Sequence, residues 1–154
     1  MGFLFQRLLF KTLIEQAITA EEEAFLFYRD LQENPAFSPC STLLQKLSSE
    51  ELKHRIRLEE AQKTYNLGKL DPSSDKEKAL LNEQEKPWCD PDEEESVEKT
   101  LSLALEKEES SYAFYSLLRD KTKNPQAKKI FQELAQQEKH HIEWVQDALD
   151  SENI

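Results

Sequence analysis

Apolar residues recur along the chain in alternating steps of three and four, the spacing of a helix face turned toward a core. Ile14, Ala17, Ala24, Tyr28 and Leu31 make one such seam, and Leu44, Leu47, Leu58 and Ala61 a second. Leu101, Ala104, Tyr115 and Leu118 make a third, and Phe131, Leu134, Val145 and Ala148 a fourth. Punctuation between them predicts the helix ends. The first helix should run from near Phe3 to Asn34-Pro35, where proline removes a donor and stops it. The second should open at Ser38-Pro39, a cap followed by proline at the first helical position, and close near Asn66-Leu67-Gly68. The third should open at Asp90-Pro91, with Glu93 completing a capping box, and reach about Lys121. The fourth should run from Asn124-Pro125 to about Leu149.

Helices one and two, and helices three and four, are separated by only a few residues, so each pair should fold as an antiparallel hairpin. The predicted fold is therefore all-α, a four-helix bundle in one domain over 1–154. Hairpin one spans about 3–68 and hairpin two about 90–150. The polar stretch of about 69–89 between them is too long for a tight turn and should cross the length of the bundle, with a short helix over about 75–84.

The two halves repeat. Glu21 is followed by Phe27-Tyr28, and Glu108 by Phe114-Tyr115, 87 positions later. Glu51-x-x-His54 and Glu138-x-x-His141 are also 87 apart. Each polar residue falls inside a seam: Glu21 between Ala17 and Ala24, Glu51 and His54 between Leu47 and Leu58. Glu108 falls between Ala104 and Ser111, and Glu138 and His141 between Leu134 and Val145. Glu22, Glu23 and Glu109 lie around the helix, toward solvent.

Four carboxylates and two imidazoles are thus directed at one interior. Unpaired, each buried carboxylate costs several kcal/mol, and like charges add to that. Protonation relieves part of the cost by raising the pKa values. Two divalent cations relieve all of it, because four positive charges match four carboxylates beside neutral imidazoles. The two side chains of Glu-x-x-His leave one helix face a turn apart, so one can bridge two ions while the other binds terminally. A mixed oxygen and imidazole donor set with few ligands per ion suits iron or manganese and leaves positions open for oxygen or peroxide. Small Ala24 and Ser111 leave space there.

Composition narrows the alternatives. The chain has 154 residues, 20 basic and 31 acidic side chains and a formal charge of −11. So acidic a surface excludes nucleic acid as a partner and disfavours anionic membranes. Two cysteines, Cys40 and Cys89, without a CxxC, exclude a disulfide scaffold, a zinc ribbon and a rubredoxin-type iron centre. Two glycines are too few for a phosphate-cradling loop. The apolar start, Met1 to Phe10, is interrupted by Gln6 and Arg7 and is far short of the ~20 residues that cross a bilayer. It is read as the opening of helix one with apolar surface for a partner subunit. No targeting segment follows, so the expected location is cytoplasmic.

Other features carry less. Tyr28 and Tyr115 stand two turns after Glu21 and Glu108 on the same face, where their hydroxyls either bond ligand carboxylates or simply pack. His140 is rotated about 100° from His141 and belongs to the surface. Cys40 and Cys89 are read as packing or exposed thiols rather than as nucleophiles. The run Asp92 to Glu95 suits a helix N-terminus.

On Glu21…Phe27-Tyr28, Glu51-x-x-His54, Glu108…Phe114-Tyr115 and Glu138-x-x-His141, the chain resembles the rubrerythrin-type di-iron domain of the ferritin-like superfamily. The resemblance covers all but the N-terminal residues and the crossover. It implies a ferritin-like bundle with two iron ions (manganese or a mixed pair being the variant), assembled as a homodimer or larger. It also implies peroxide reduction, oxidation of Fe(II) by oxygen, or iron handling under oxidative stress. By motif position, Glu21 and Glu108 are the single-helix ligands, Glu51 and Glu138 the bridges, and His54 and His141 bind one iron each. Two departures stand out. Rubrerythrins proper carry a further ligand glutamate where this chain has Ser111, and a rubredoxin domain that the cysteine count excludes. Repeated turnover would therefore draw on a separate electron donor.

Three functions follow as expectations: a di-iron oxidoreductase acting on peroxide or oxygen, a ferroxidase for iron storage or sequestration, and a non-catalytic bundle acting through its apolar N-terminal surface.

Overall fold

The computed structural model describes residues 2–64 and 96–152, with side chains over 11–63 and 96–151. Four long helices account for nearly all of it: α1 (Gly2–Leu31), α2 (Ser41–Thr64), α3 (Val97–Lys121) and α4 (Pro125–Glu152). No β-strand occurs among the described residues. The chain is an all-α four-helix bundle in which α1 packs along α2 and α3 along α4.

Two helix starts differ from the sequence reading. α2 begins at Ser41 rather than at Ser38-Pro39, because Pro35–Cys40 forms a 3-10 turn of its own. Asn34 caps that turn: its side chain accepts from the Ala36 N–H at 3.0 Å, with Pro35 following in the position where a missing N–H costs nothing. α1 itself ends at Leu31, and three consecutive i→i+3 bonds, from Gln32 to Arg29, Glu33 to Asp30 and Asn34 to Leu31, carry the chain to the cap. α3 begins at Val97, not at Asp90-Pro91, because Ser96 is extended (φ −66°, ψ 150°) and its hydroxyl accepts from the Lys99 N–H at 3.2 Å. Asp90-Pro91, the Glu93 capping box, the Asp92 to Glu95 run, the Gly68 cap, the 69–89 crossover and Cys89 lie outside the described residues. So do the side chains of the apolar N-terminus.

The start of α4 is as predicted. The Asn124 side chain accepts from the Gln126 and Ala127 N–H groups at 3.0 and 3.2 Å, and Pro125 opens the helix. The helix continues to Glu152, three residues past the predicted end.

The core is built in two apolar blocks. One gathers Ile14, Leu58, Phe114, Leu118, Phe131 and Leu134; the other gathers Phe27, Leu31, Leu44, Leu47, Leu101 and Val145. Each block draws on all four helices. Every seam residue named above is buried except Ser111 and Ala148, which are half-buried; Leu149 takes the buried place at the end of α4. At about 1.5–3 kcal/mol for each large side chain removed from water, these blocks supply the driving force for association. No helix among the described residues is long and apolar enough to cross a membrane.

Candidate metal centre

Between the two apolar blocks lies a polar layer. Glu21, Glu51, His54, Glu108, Glu138 and His141 are each at most 3% exposed, so all six sequence-predicted residues are drawn into the interior. Donor atoms of Glu51, His54, Glu138 and His141 lie within 4.8 Å of one another.

The contacts form two crossed sets. His54 Nδ1 lies 2.8 Å from Glu138 Oε1, 3.3 Å from Glu51 Oε2 and 3.6 Å from Glu21 Oε2. His141 Nδ1 lies 2.9 Å from Glu51 Oε1, 3.4 Å from Glu108 Oε2 and 3.5 Å from Glu138 Oε2. Glu51 and Glu138 therefore each turn one oxygen to one histidine and the second oxygen to the other. Each histidine is closer to the glutamate of the opposite hairpin than to the one on its own helix. The two imidazole rings stack, 5.2 Å apart and 12° from parallel.

Close approach is not hydrogen bonding here. Glu51 Oε1, both Glu138 oxygens and both nitrogens of His54 and His141 have no hydrogen-bond partner. Groups this buried normally find one, and leaving them unsatisfied costs roughly 1–3 kcal/mol each. Short separations with the wrong angles are what results when lone pairs converge on shared points between the groups rather than on one another. A carboxylate and imidazole donor set of this kind fits two divalent cations.

The outer oxygens of Glu21 and Glu108 are accounted for by tyrosines. The Tyr28 hydroxyl donates to Glu108 Oε1 at 2.5 Å, and the Tyr115 hydroxyl donates to Glu21 Oε1. The sequence places each tyrosine on the face of its own helix's glutamate; the structure sends each across the bundle to the other. Phe27 and Phe114 brace the tyrosine rings edge-on, with centroids 5.4 and 5.6 Å apart.

Electrostatics favour protons on Glu21, Glu108 and the two histidines. Burial, reinforced by Glu51, pushes Glu21 up to about 8; burial, reinforced by Glu138, pushes Glu108 up to about 8. Burial opposes charge on His54, but Glu21 and Glu138 outweigh it and hold the ring well above the usual histidine range. Glu51 and Glu138 do the same for His141. Both tyrosine hydroxyls are raised, first by burial and then by the carboxylates they face.

The surrounding residues largely keep their predicted places. His140 and Glu109 are exposed, whereas Glu22 and Glu23 are half-buried, and Glu22 holds the Arg55 guanidinium at 2.7 Å. Cys40 is a buried thiol of the second apolar block. The sequence reading passed over Trp144, whose ring lies 5.3 Å from that of His141.

The family model described as Rubrerythrin matches residues 12–149, which takes in most of α1 and α4, all of α2 and α3, and the whole cluster. The chain belongs to the Rubrerythrin family. Its domain is a di-iron domain of the ferritin-like superfamily, and its His/Glu cluster is suited to such a site. Neither the curated proteins nor the solved structures contain a match to the chain.

Proposed function

We propose that Glu21, Glu51, His54, Glu108, Glu138 and His141 hold two iron ions and that the protein is an oxidoreductase acting on peroxide or oxygen. The observation that carries this reading is the division of Glu51 and Glu138, each with one oxygen toward each histidine and with no hydrogen bond to explain the approach. Such a pair of carboxylates serves two ions at once. His54 and Glu21 then complete one ion's set, and His141 and Glu108 the other's.

A ferrous pair bound there supplies two electrons, enough with two protons to cleave the O–O bond of hydrogen peroxide into two waters. The chain's own part is to hold and orient the ligands. Tyr28 and Tyr115 fix the outer oxygens of Glu108 and Glu21, leaving the inner oxygens for coordination. The apolar blocks above and below close the two ends of the layer. Electrons must return from an external donor, and a net charge of −11 favours one with a basic docking face. We extend the proposal to a homodimer, which light scattering of the purified protein tests.

Metal analysis after anaerobic loading tests the site: two irons per chain are expected. Stopped-flow mixing of the di-ferrous protein then tests the chemistry. Faster oxidation by peroxide than by oxygen supports the peroxidase form. Preference for oxygen with retention of many irons per chain would replace it with iron storage. Failure to bind two metals would leave a non-catalytic bundle.

A further inference from the structure

The repeat that doubles the cluster is broken just outside it. Positions 57 and 144 correspond, each three residues after its histidine, and so do positions 46 and 133. Beside His141 the pair is Trp144 and Lys46: the indole lies against the imidazole, and Lys46 Nζ sits 3.5 Å from the indole centroid. Beside His54 the pair is Arg57 and Glu133, joined at 3.0 Å across the surface with both side chains about half exposed. The aromatic plug on one side is thus an ion pair on the other.

The ion pair lines a cavity of about 130 Å³ together with Glu50, Lys53, His54, Leu134 and Gln137. It leads from exposed Lys53 and Arg57 to buried Leu134 and His54 and has room for several waters. His54 is 1% exposed, its Nδ1 faces the carboxylates, and its Nε2, on the far side of the ring, has no partner. His54 lines the cavity and its Nδ1 contacts the cluster's carboxylates, so the ring stands between the two.

We infer that this cavity is the entrance by which small uncharged hydrogen-bonding molecules, of the size of water and hydrogen peroxide, reach the cluster beside His54, while Trp144 closes the equivalent path beside His141. The inference rests on the proposed function for its substrate. Charge at the mouth selects the class. Lys53 is paired with Glu50 at 2.9 Å and Arg57 with Glu133, so neither an anion nor a cation meets a net opposite field. The same groups and the Gln137 amide offer donors and acceptors, which suits a molecule that does both.

The test begins with the full-length metal-free protein. Water-to-protein cross-relaxation in NMR is expected at the carbon-bound ring protons of His54 and absent from those of His141. Arg57→Trp, which copies the opposite cover, should abolish the His54 signal, and Trp144→Ala should create one at His141. Gln137→Phe fills the cavity from α4 and should repeat the loss without altering the Arg57–Glu133 pair. In di-ferrous protein, R57W and Q137F should react several-fold more slowly with hydrogen peroxide at unchanged iron content. Water contact at both rings, at neither, or an undiminished His54 signal in both filled variants overturns the proposal. Failure to load two irons would instead overturn the functional reading and leave the water result standing.

Discussion

The Tyr28 hydroxyl reaches Glu108 at 2.5 Å, joining α1 to α3 across 80 positions of sequence. Its counterpart, Tyr115 to Glu21, runs the other way, so each hairpin supplies the hydrogen bond that steadies the other's outlying glutamate. Loss of such a supporting hydrogen bond commonly costs 10–100-fold in metal affinity. Tyr28→Phe is expected to weaken one of two Co(II) binding events by about that factor. In double-mutant cycles the loss should overlap with Glu108→Ala and add to Glu21→Ala. Additivity with both would show that the tyrosine does not act through Glu108.

Sharing of Glu51 and Glu138 between the histidines separates bridges from terminal groups. Glu51→Ala or Glu138→Ala should lower metal content from two ions toward none, because each removes a donor from both. Glu21→Ala or Glu108→Ala should leave one ion in place. Elemental analysis of the four variants reads this directly, and equal contents would contradict the bridging assignment.

Proton linkage gives a third expectation. Glu21 and Glu108 are raised from 4.5 to about 8, so between those values the folded metal-free protein holds protons that the unfolded chain has released. Stability then falls as pH rises. The contribution is fully present below pH 4.5 and lost as pH passes through about 8. His54 and His141, raised above 6.5, add to the loss on the alkaline side. Urea unfolding of metal-free protein at several pH values should show this slope, and E21Q/E108Q should flatten it. A stability that rises over this range in wild type but not in the variant would contradict the raised values.

The same protons stand where cations would, so metal uptake should release them and tighten with pH. Calorimetry of Co(II) binding in buffers of different ionisation enthalpy counts the protons. More than one released per ion is expected at neutral pH. Bound metal should also stabilise the fold, by about 2.7 kcal/mol when free metal is a hundredfold above its dissociation constant. A melting curve insensitive to metal would place the ions outside the native core.

Much of this site was legible because its signal is periodic. Glu21, Glu51, Glu108 and Glu138 sit in seams whose other members are apolar, and the 87-residue repeat picks them out from the neighbouring glutamates. Helix starts were less legible. Asn34-Pro35 reads only as a stop and Ser38-Pro39 as a cap, whereas in the fold Asn34 caps the turn and Pro39 lies within it. Ser96 was passed over because Asp90-Pro91 is the stronger local signal. The crossing of the tyrosines cannot be read from one helix, since it depends on how the two hairpins face each other. Trp144 and Arg57 were discoverable in principle: aligning the halves exposes them as the place where the copies disagree.

The two apolar blocks have a further consequence. Because each ties together all four helices, the distance between the walls of the middle layer is set from above and below, as floors set the height of a room. The polar chamber keeps its dimensions whether its tenants are protons or cations, and an arriving ion finds a frame already standing.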